Sequence, residues 1–190
     1  RYGVAGSAGH ADDLPDGGAR AFAETIRAVR ERTPDVMIEV LTPDFVEHLD
    51  PVLDARPDVF NHNLETVRHL QAAIRPQASY EQSLATLRKA SERGEAQIKS
   101  GLMLGLGETD EEIFQTLEDL YAAGVRLLTL GQYLAPTREH LPVERFVSPE
   151  KFDALGTRAR EMGFQGVAAG PLVRSSYRAD QLAQESKDDK

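Results

Sequence analysis

The stretch QIKSGLMLGLGETDEEIFQTLEDLYAAGVRLLTLGQY, Gln97 to Tyr133, decides the fold. It opens with Gln97 to Leu104, a short apolar-rich run that stops at a glycine turn, as a buried strand does. Gly105 and Gly107 break that run. Thr109 with Glu112 three residues later is a capping-box pattern, which satisfies the free N–H groups at a helix start. Ile113, Leu117 and Leu120 recur at helical spacing and mark one buried face. Gly124 ends the helix, and Val125 to Leu130 forms the next apolar run. Strand, capped helix and strand in direct succession make a βαβ unit, which requires parallel strands.

The same alternation extends in both directions. Ala19 to Arg32 reads as a helix with Phe22, Ile26 and Val29 on one stripe, and Val36 to Leu41 reads as a strand. A weak strand precedes that helix. Asp58 to Asn61 is a short strand after the turn at Arg56-Pro57. Ser79 with Gln82 caps a helix that carries Leu84 and Leu87 on its buried face and stops at Gly94. Ser148-Pro149 opens another helix, with proline at the first helical position. Phe152, Leu155 and Ala159 face inward, Gly163 closes it, and Gly166 to Ala169 is the last strand. About five or six βα units fit. A closed eight-fold barrel needs about 250 residues, so the expected fold is α/β, a partial parallel βα (TIM-like) barrel spanning residues 1–180. The polar stretch QLAQESKDDK, Gln181 to Lys190, is expected to be a disordered tail.

Composition narrows the function. Hydrophobic residues make up 41% and charged residues 28% of the 190 residues, as in an ordinary globular chain. A net charge of −9 argues against a nucleic-acid binder and against an anionic membrane surface. No run of about 18 apolar residues exists, and no apolar leader is present, so a cytoplasmic location is expected. The chain has no cysteine, which excludes disulfides and thiolate metal ligands within it.

In parallel βα folds, ligands gather at the carboxyl ends of the strands. The residues just past each expected strand are Asp12 to Gly18, Thr42 to Asp44, Asn61 to Thr66, Gly105 to Thr109, Gly131 to Tyr133, and Gly170 to Tyr177. Glycines and hydrogen-bonding groups thus collect on one rim, as they do where backbone approaches a polar small molecule. Gly-Leu-Gly-Glu-Thr is also accounted for as a turn and a helix cap. Asn61, His62, Asn63 and Glu65, at the end of a short buried strand, need partners. Asn and Glu there suit the ribose hydroxyls or amino group of a nucleotide-like ligand. His62 alone reads as a hydrogen-bonded core histidine, and Ser175-Ser176 alone as polar tail. Nucleophile-elbow, Walker A, His-Glu-x-x-His and dinucleotide-binding motifs are absent.

From Asp12 onward the chain resembles the lipoyl synthases. The resemblance rests on DDLPDGG (Asp12 to Gly18), IEVLTPDF (Ile38 to Phe45), RPDVFNHNLETV (Arg56 to Val67), KSGLMLGLGET (Lys99 to Thr109), LTLGQYLAPTREHLPVERFV (Leu128 to Val147) and GPLVRSSY (Gly170 to Tyr177). NHNLET and RSSY, in this order, are its most specific parts.

The resemblance implies a radical S-adenosylmethionine enzyme with a partial βα barrel. Such an enzyme inserts two sulfur atoms at carbons six and eight of a protein-bound octanoyl chain. It implies S-adenosylmethionine and two four-iron clusters. One cluster is held by a Cys-x3-Cys-x2-Cys motif, and the auxiliary cluster by three further cysteines and a serine of RSSY. By resemblance, Ser176 is that serine and Arg174 sits beside it. Asn61, Asn63, Glu65, Gly105, Gly107 and Glu108 lie around S-adenosylmethionine. The implied partner is an octanoylated lipoyl-carrier domain or the glycine-cleavage H protein, and a monomer is expected.

The departure from the family is the missing cysteines. In the family they lie upstream of the region covered here, so this chain corresponds to a carboxy-terminal portion and is expected to hold no cluster. The opening GVAGSAGHA, Gly3 to Ala11, also matches poorly. Two rivals stand beside the enzyme. One is a non-catalytic barrel module with residual nucleoside binding. The other is an unrelated barrel enzyme using His62 and Glu65 as acid and base.

Overall fold

The computed structural model describes residues 2–6, 14–43 and 48–188. The βαβ unit read from the sequence lies in the middle of the sheet. Strand β4 (Gln97–Leu104) runs into helix α5 (Asp110–Ala122), which returns to strand β5 (Leu127–Gln132). The capping box is formed: Thr109 Oγ1 accepts from Glu112 N, and the Glu112 carboxylate accepts from Thr109 N at 2.8 Å. Ile113, Leu117 and Leu120 are fully buried, each contributing about 1.5–3 kcal/mol of transfer free energy.

Around this unit stand β1 (Tyr2–Gly6), α1 (Ala19–Arg32), β2 (Met37–Leu41), the short α2 (Asp50–Asp54) and β3 (Val59–Asn61). Then come a 3-10 turn (Arg68–Leu70), α3 (Gln71–Ile74) and α4 (Tyr80–Arg93). After β5 follow α6 (Pro149–Glu161), β6 (Gly166–Gly170) and α7 (Ala179–Asp188). The six strands lie in sequence order in one sheet, and every neighbouring pair is parallel. The fold is therefore the expected partial βα barrel: an open parallel sheet with β1 and β6 at its edges.

Alternation along the strands divides the two faces. Ile38, Val40, Phe60, Ile98, Leu102, Leu128, Leu130 and Val167 join the helices in the main core. Val59 and Leu127 point the other way and pack with Leu182 and Ala183 of α7.

That last contact corrects one expectation. Residues 179–188 are helical, with Leu182 and Ala183 buried, not a disordered tail. The polar composition concealed a helix that needs only a narrow apolar stripe to dock. Asp12, Asp13, Asp44 and His10 lie outside the described residues. Among the described residues, no helix is long and apolar enough to cross a membrane.

Candidate active site at the barrel rim

The face opposite the main core carries a buried polar layer. Lys99 Nζ donates to Glu39 Oε1 at 2.9 Å and Oε2 at 3.0 Å. Asn61 Nδ2 donates to Glu39 Oε1 at 2.9 Å. All three side chains are shut off from solvent. Desolvation pulls the Lys99 ammonium below its ordinary range, against the attraction of Glu39. Asn61 Oδ1 has no hydrogen-bond partner among the described residues.

Two residues further along β4 the side chain disappears, at Gly101. A Cβ there would stand 2.5 Å from Thr129 Oγ1 and 3.0 Å from Asn63 Oδ1. Gly131 has the same role on β5. A Cβ there would meet Val173 O at 2.3 Å, so only glycine lets the chain after β6 cross this close. The result is a cavity of about 250 Å³ at the carboxyl ends of β3, β4 and β5, lined by Asn63, Glu65, Gly101, Met103, Thr129, Gly131, Leu134, Arg174 and Ser175 among others.

Glu65 is pinned at the strand end. Its N donates to Gly101 O at 3.0 Å, and its O accepts from Met103 N at 2.8 Å. It holds φ at +72°, a left-handed conformation uncommon outside glycine and frequent at functional sites. Burial pushes its carboxyl above the usual range, opposed by a hydrogen bond from Asn63 and by the charges of Arg75 and His62. Asn63 Nδ2 donates to Ser175 Oγ at 2.8 Å. Its Oδ1 is buried and has no hydrogen-bond partner among the described residues.

The other residues expected at the site fall into separate places. Gly105 and Gly107 turn with φ of +101° and +108°. Glu108 folds back on that turn: its carboxylate accepts from Gly105 N at 2.8 Å and Leu106 N at 2.9 Å, and Arg145 pairs with it at 3.0 Å. Its oxygens are thus engaged by the loop itself. Asn61 lies in the layer beneath the cavity. His62 is buried and its Nδ1 donates to Thr42 O at 3.0 Å, and it does not line the cavity. Arg174 lines the cavity and donates to Val173 O, whereas Ser176 is exposed beside it.

Gly101, Met103 and Thr129 line the cavity without having been singled out by the sequence reading. The period-two alternation of β4 and β5, continued to the strand ends, was the signal for them. Gln132 also had a hidden task. Its Oε1 accepts from Val147 N at 2.9 Å and its Nε2 donates to Arg145 O at 3.1 Å, which straps the loop after β5 onto the rim.

The profile of the radical SAM superfamily matches residues 2–120. The lipoyl synthase of Vibrio parahaemolyticus is 56% identical over 178 residues, covering 91% of this chain and 56% of that protein. The lipoyl synthase of Thermus thermophilus is 56% identical over 176 residues, covering 90% of this chain and 54% of that protein. The chain spans about half the length of these curated relatives. Among solved structures, HydG, a maturase of the FeFe-hydrogenase, has a similar fold, with a TM-score of 0.62, 17% identity, and coverage of 78% of this chain and 37% of that one. With its sheet, its rim and these matches together, the chain belongs to the radical SAM superfamily, and over nine tenths of its length it is similar to curated lipoyl synthases.

Proposed function

We propose that this chain is the barrel portion of a lipoyl synthase, and that its rim cavity receives S-adenosylmethionine. The observation that carries this reading is the pairing of Glu65 and Asn63 over a floor of absent side chains at Gly101 and Gly131. The buried, unpartnered Asn63 Oδ1 is an acceptor in want of a donor, and a ribose hydroxyl or an amino group supplies one. Bound there, S-adenosylmethionine supplies the hydrogen-abstracting radical chemistry of the superfamily. The residues of this chain hold and orient it: Asn63 and Glu65 take its polar groups, Gly101 and Gly131 admit its bulk, and Arg174 with Leu134 lines its outer side. The turn of Gly105, Gly107 and Glu108 abuts the site through Gln132, and Asn61 lies in the layer beneath it.

The iron–sulfur clusters do not fit this chain by itself. It has no cysteine, and Ser176, the proposed auxiliary-cluster ligand, offers one oxygen. The intact protein, in this reading, inserts two sulfur atoms at carbons six and eight of an octanoyl group carried by a lipoyl domain or by the glycine-cleavage H protein. The present chain binds without turnover.

The test is calorimetric titration of the chain with S-adenosylhomocysteine, which needs no cluster chemistry. Saturable one-to-one binding is expected, weakened about tenfold or more by Asn63→Ala and by Glu65→Ala. Binding that neither substitution changes would move the ligand site elsewhere.

A further inference from the structure

Arg75 is half-buried and does not line the rim cavity. It ends α3, where its N–H donates to Gln71 O at 2.8 Å. Pro76 follows and disfavours helical dihedrals at Arg75, whose backbone lies at φ −134° and ψ 73°. The side chain meets the end of β3: Nη1 donates to Asn63 O at 3.2 Å and to the hydroxyl of Ser83, a fully buried residue of α4, at 3.2 Å. The rim segment is thus held from both sides, with Glu65 bonded to Gly101 and Met103 and Asn63 bonded to Arg75. Burial raises the Glu65 carboxyl, and Asn63, Arg75 and His62, in that order, oppose it. Arg174 lines the same cavity as Glu65, and beneath it Lys99 and Glu39 are paired with each other.

We propose that Arg75 is a positioning residue for the rim site: it holds Asn63 by its carbonyl and keeps Glu65 in its charged form. The inference takes its ligand from the functional reading above. A guanidinium stays charged at every pH at which proteins fold, so its effect on Glu65 is constant. The protonation state of Glu65 decides what the cavity accepts. An ionised carboxylate only accepts hydrogen bonds and takes hydroxyl or amino donors, whereas a protonated one also offers a donor of its own. By favouring the ionised form, Arg75 selects ligand groups that donate and turns anionic groups away. It does so without touching the ligand.

Two titrations of the chain test this. The first follows the Glu65 carboxyl carbon by NMR in the free protein, with the resonance assigned by its loss in Glu65→Gln. Arg75→Gln should raise the Glu65 midpoint by at least about one pH unit. Arg75→Met, a second neutral variant, should do the same, and Arg75→Lys should leave the midpoint near that of the native chain. His62 and Arg174 are unchanged in all three, so the shift reads Arg75 alone. The second titration measures affinity for S-adenosylhomocysteine across the same pH range. Affinity should fall as pH drops through the Glu65 midpoint, and in both neutral variants the fall should begin at a pH higher by the same shift. An arginine that only packs would weaken binding equally at every pH and leave both midpoints in place, and that result overturns the assignment. Nucleoside binding with unmoved midpoints removes the role of Arg75 and leaves the rim site standing. A moved carboxyl midpoint without nucleoside binding keeps the hold of Arg75 on Glu65 and removes the nucleoside reading.

Discussion

Asn63 and Ser175, 112 positions apart, are joined by a hydrogen bond of 2.8 Å from Nδ2 to Oγ. This bond ties the segment after β6 to the end of β3 and closes the rim. Ser175→Ala leaves a half-buried amide donor without its partner, at a cost of about 1–2 kcal/mol. Urea denaturation of the two single variants and of Asn63→Ala/Ser175→Ala checks this. Their coupling should be about 1 kcal/mol, and strict additivity would mean that the bond contributes nothing.

Gly131→Ala places a methyl 2.3 Å from Val173 O. A backbone atom cannot step aside as a side chain can, so the segment over the rim must shift. A loss of about 1–3 kcal/mol in stability is expected, with a larger proportional loss of S-adenosylhomocysteine affinity than of folding cooperativity. Thermal unfolding and titration of the same variant measure both.

The Glu39–Lys99 pair is fully buried. Removing one partner strands the other charge, so Lys99→Met should cost about 3–5 kcal/mol. Combining it with Glu39→Met removes both charges, and that double variant should be more stable than Lys99→Met alone. A double variant as unstable as the single one would show that packing, not charge, sets the cost.

Glu65 carries a carboxyl raised by burial. In the folded state its charged form is disfavoured relative to the unfolded chain. The stability this group contributes is present below the ordinary glutamate range and is lost as pH rises through its folded value. Glu65→Gln should therefore raise the melting temperature at pH 7, with the advantage shrinking toward pH 4. The same variant should bind S-adenosylhomocysteine less well, as expected where a strained, buried charge serves a ligand. A melting temperature lowered equally at both pH values would contradict the burial argument.

Local signals carried most of the fold. Thr109 with Glu112, Ser79 with Gln82, and Ser148-Pro149 mark helix starts because capping is a matter of three or four residues, and all three caps form. Strand ends were less legible. The run Val125 to Leu130 reads as strand, but the ladder runs from Leu127 to Gln132, because pairing with β4 rather than apolarity sets its limits. The rim was legible as a place, since topology puts loops after parallel strands on one side. Its contacts were not. The Asn63–Ser175 bond and the approach of Val173 to Gly131 join segments whose distance in sequence carries no local signal. Glu108 is set beside the ligand by the resemblance alone, yet its carboxylate closes its own turn.

The most direct test of the rim site is amide chemical-shift mapping of the chain on addition of S-adenosylhomocysteine. Saturable shifts are expected, centred on Asn63, Glu65, Gly101, Thr129 and Ser175, with little change along β1 and α1. Shifts absent from these positions, or centred on another surface at saturation, would contradict it.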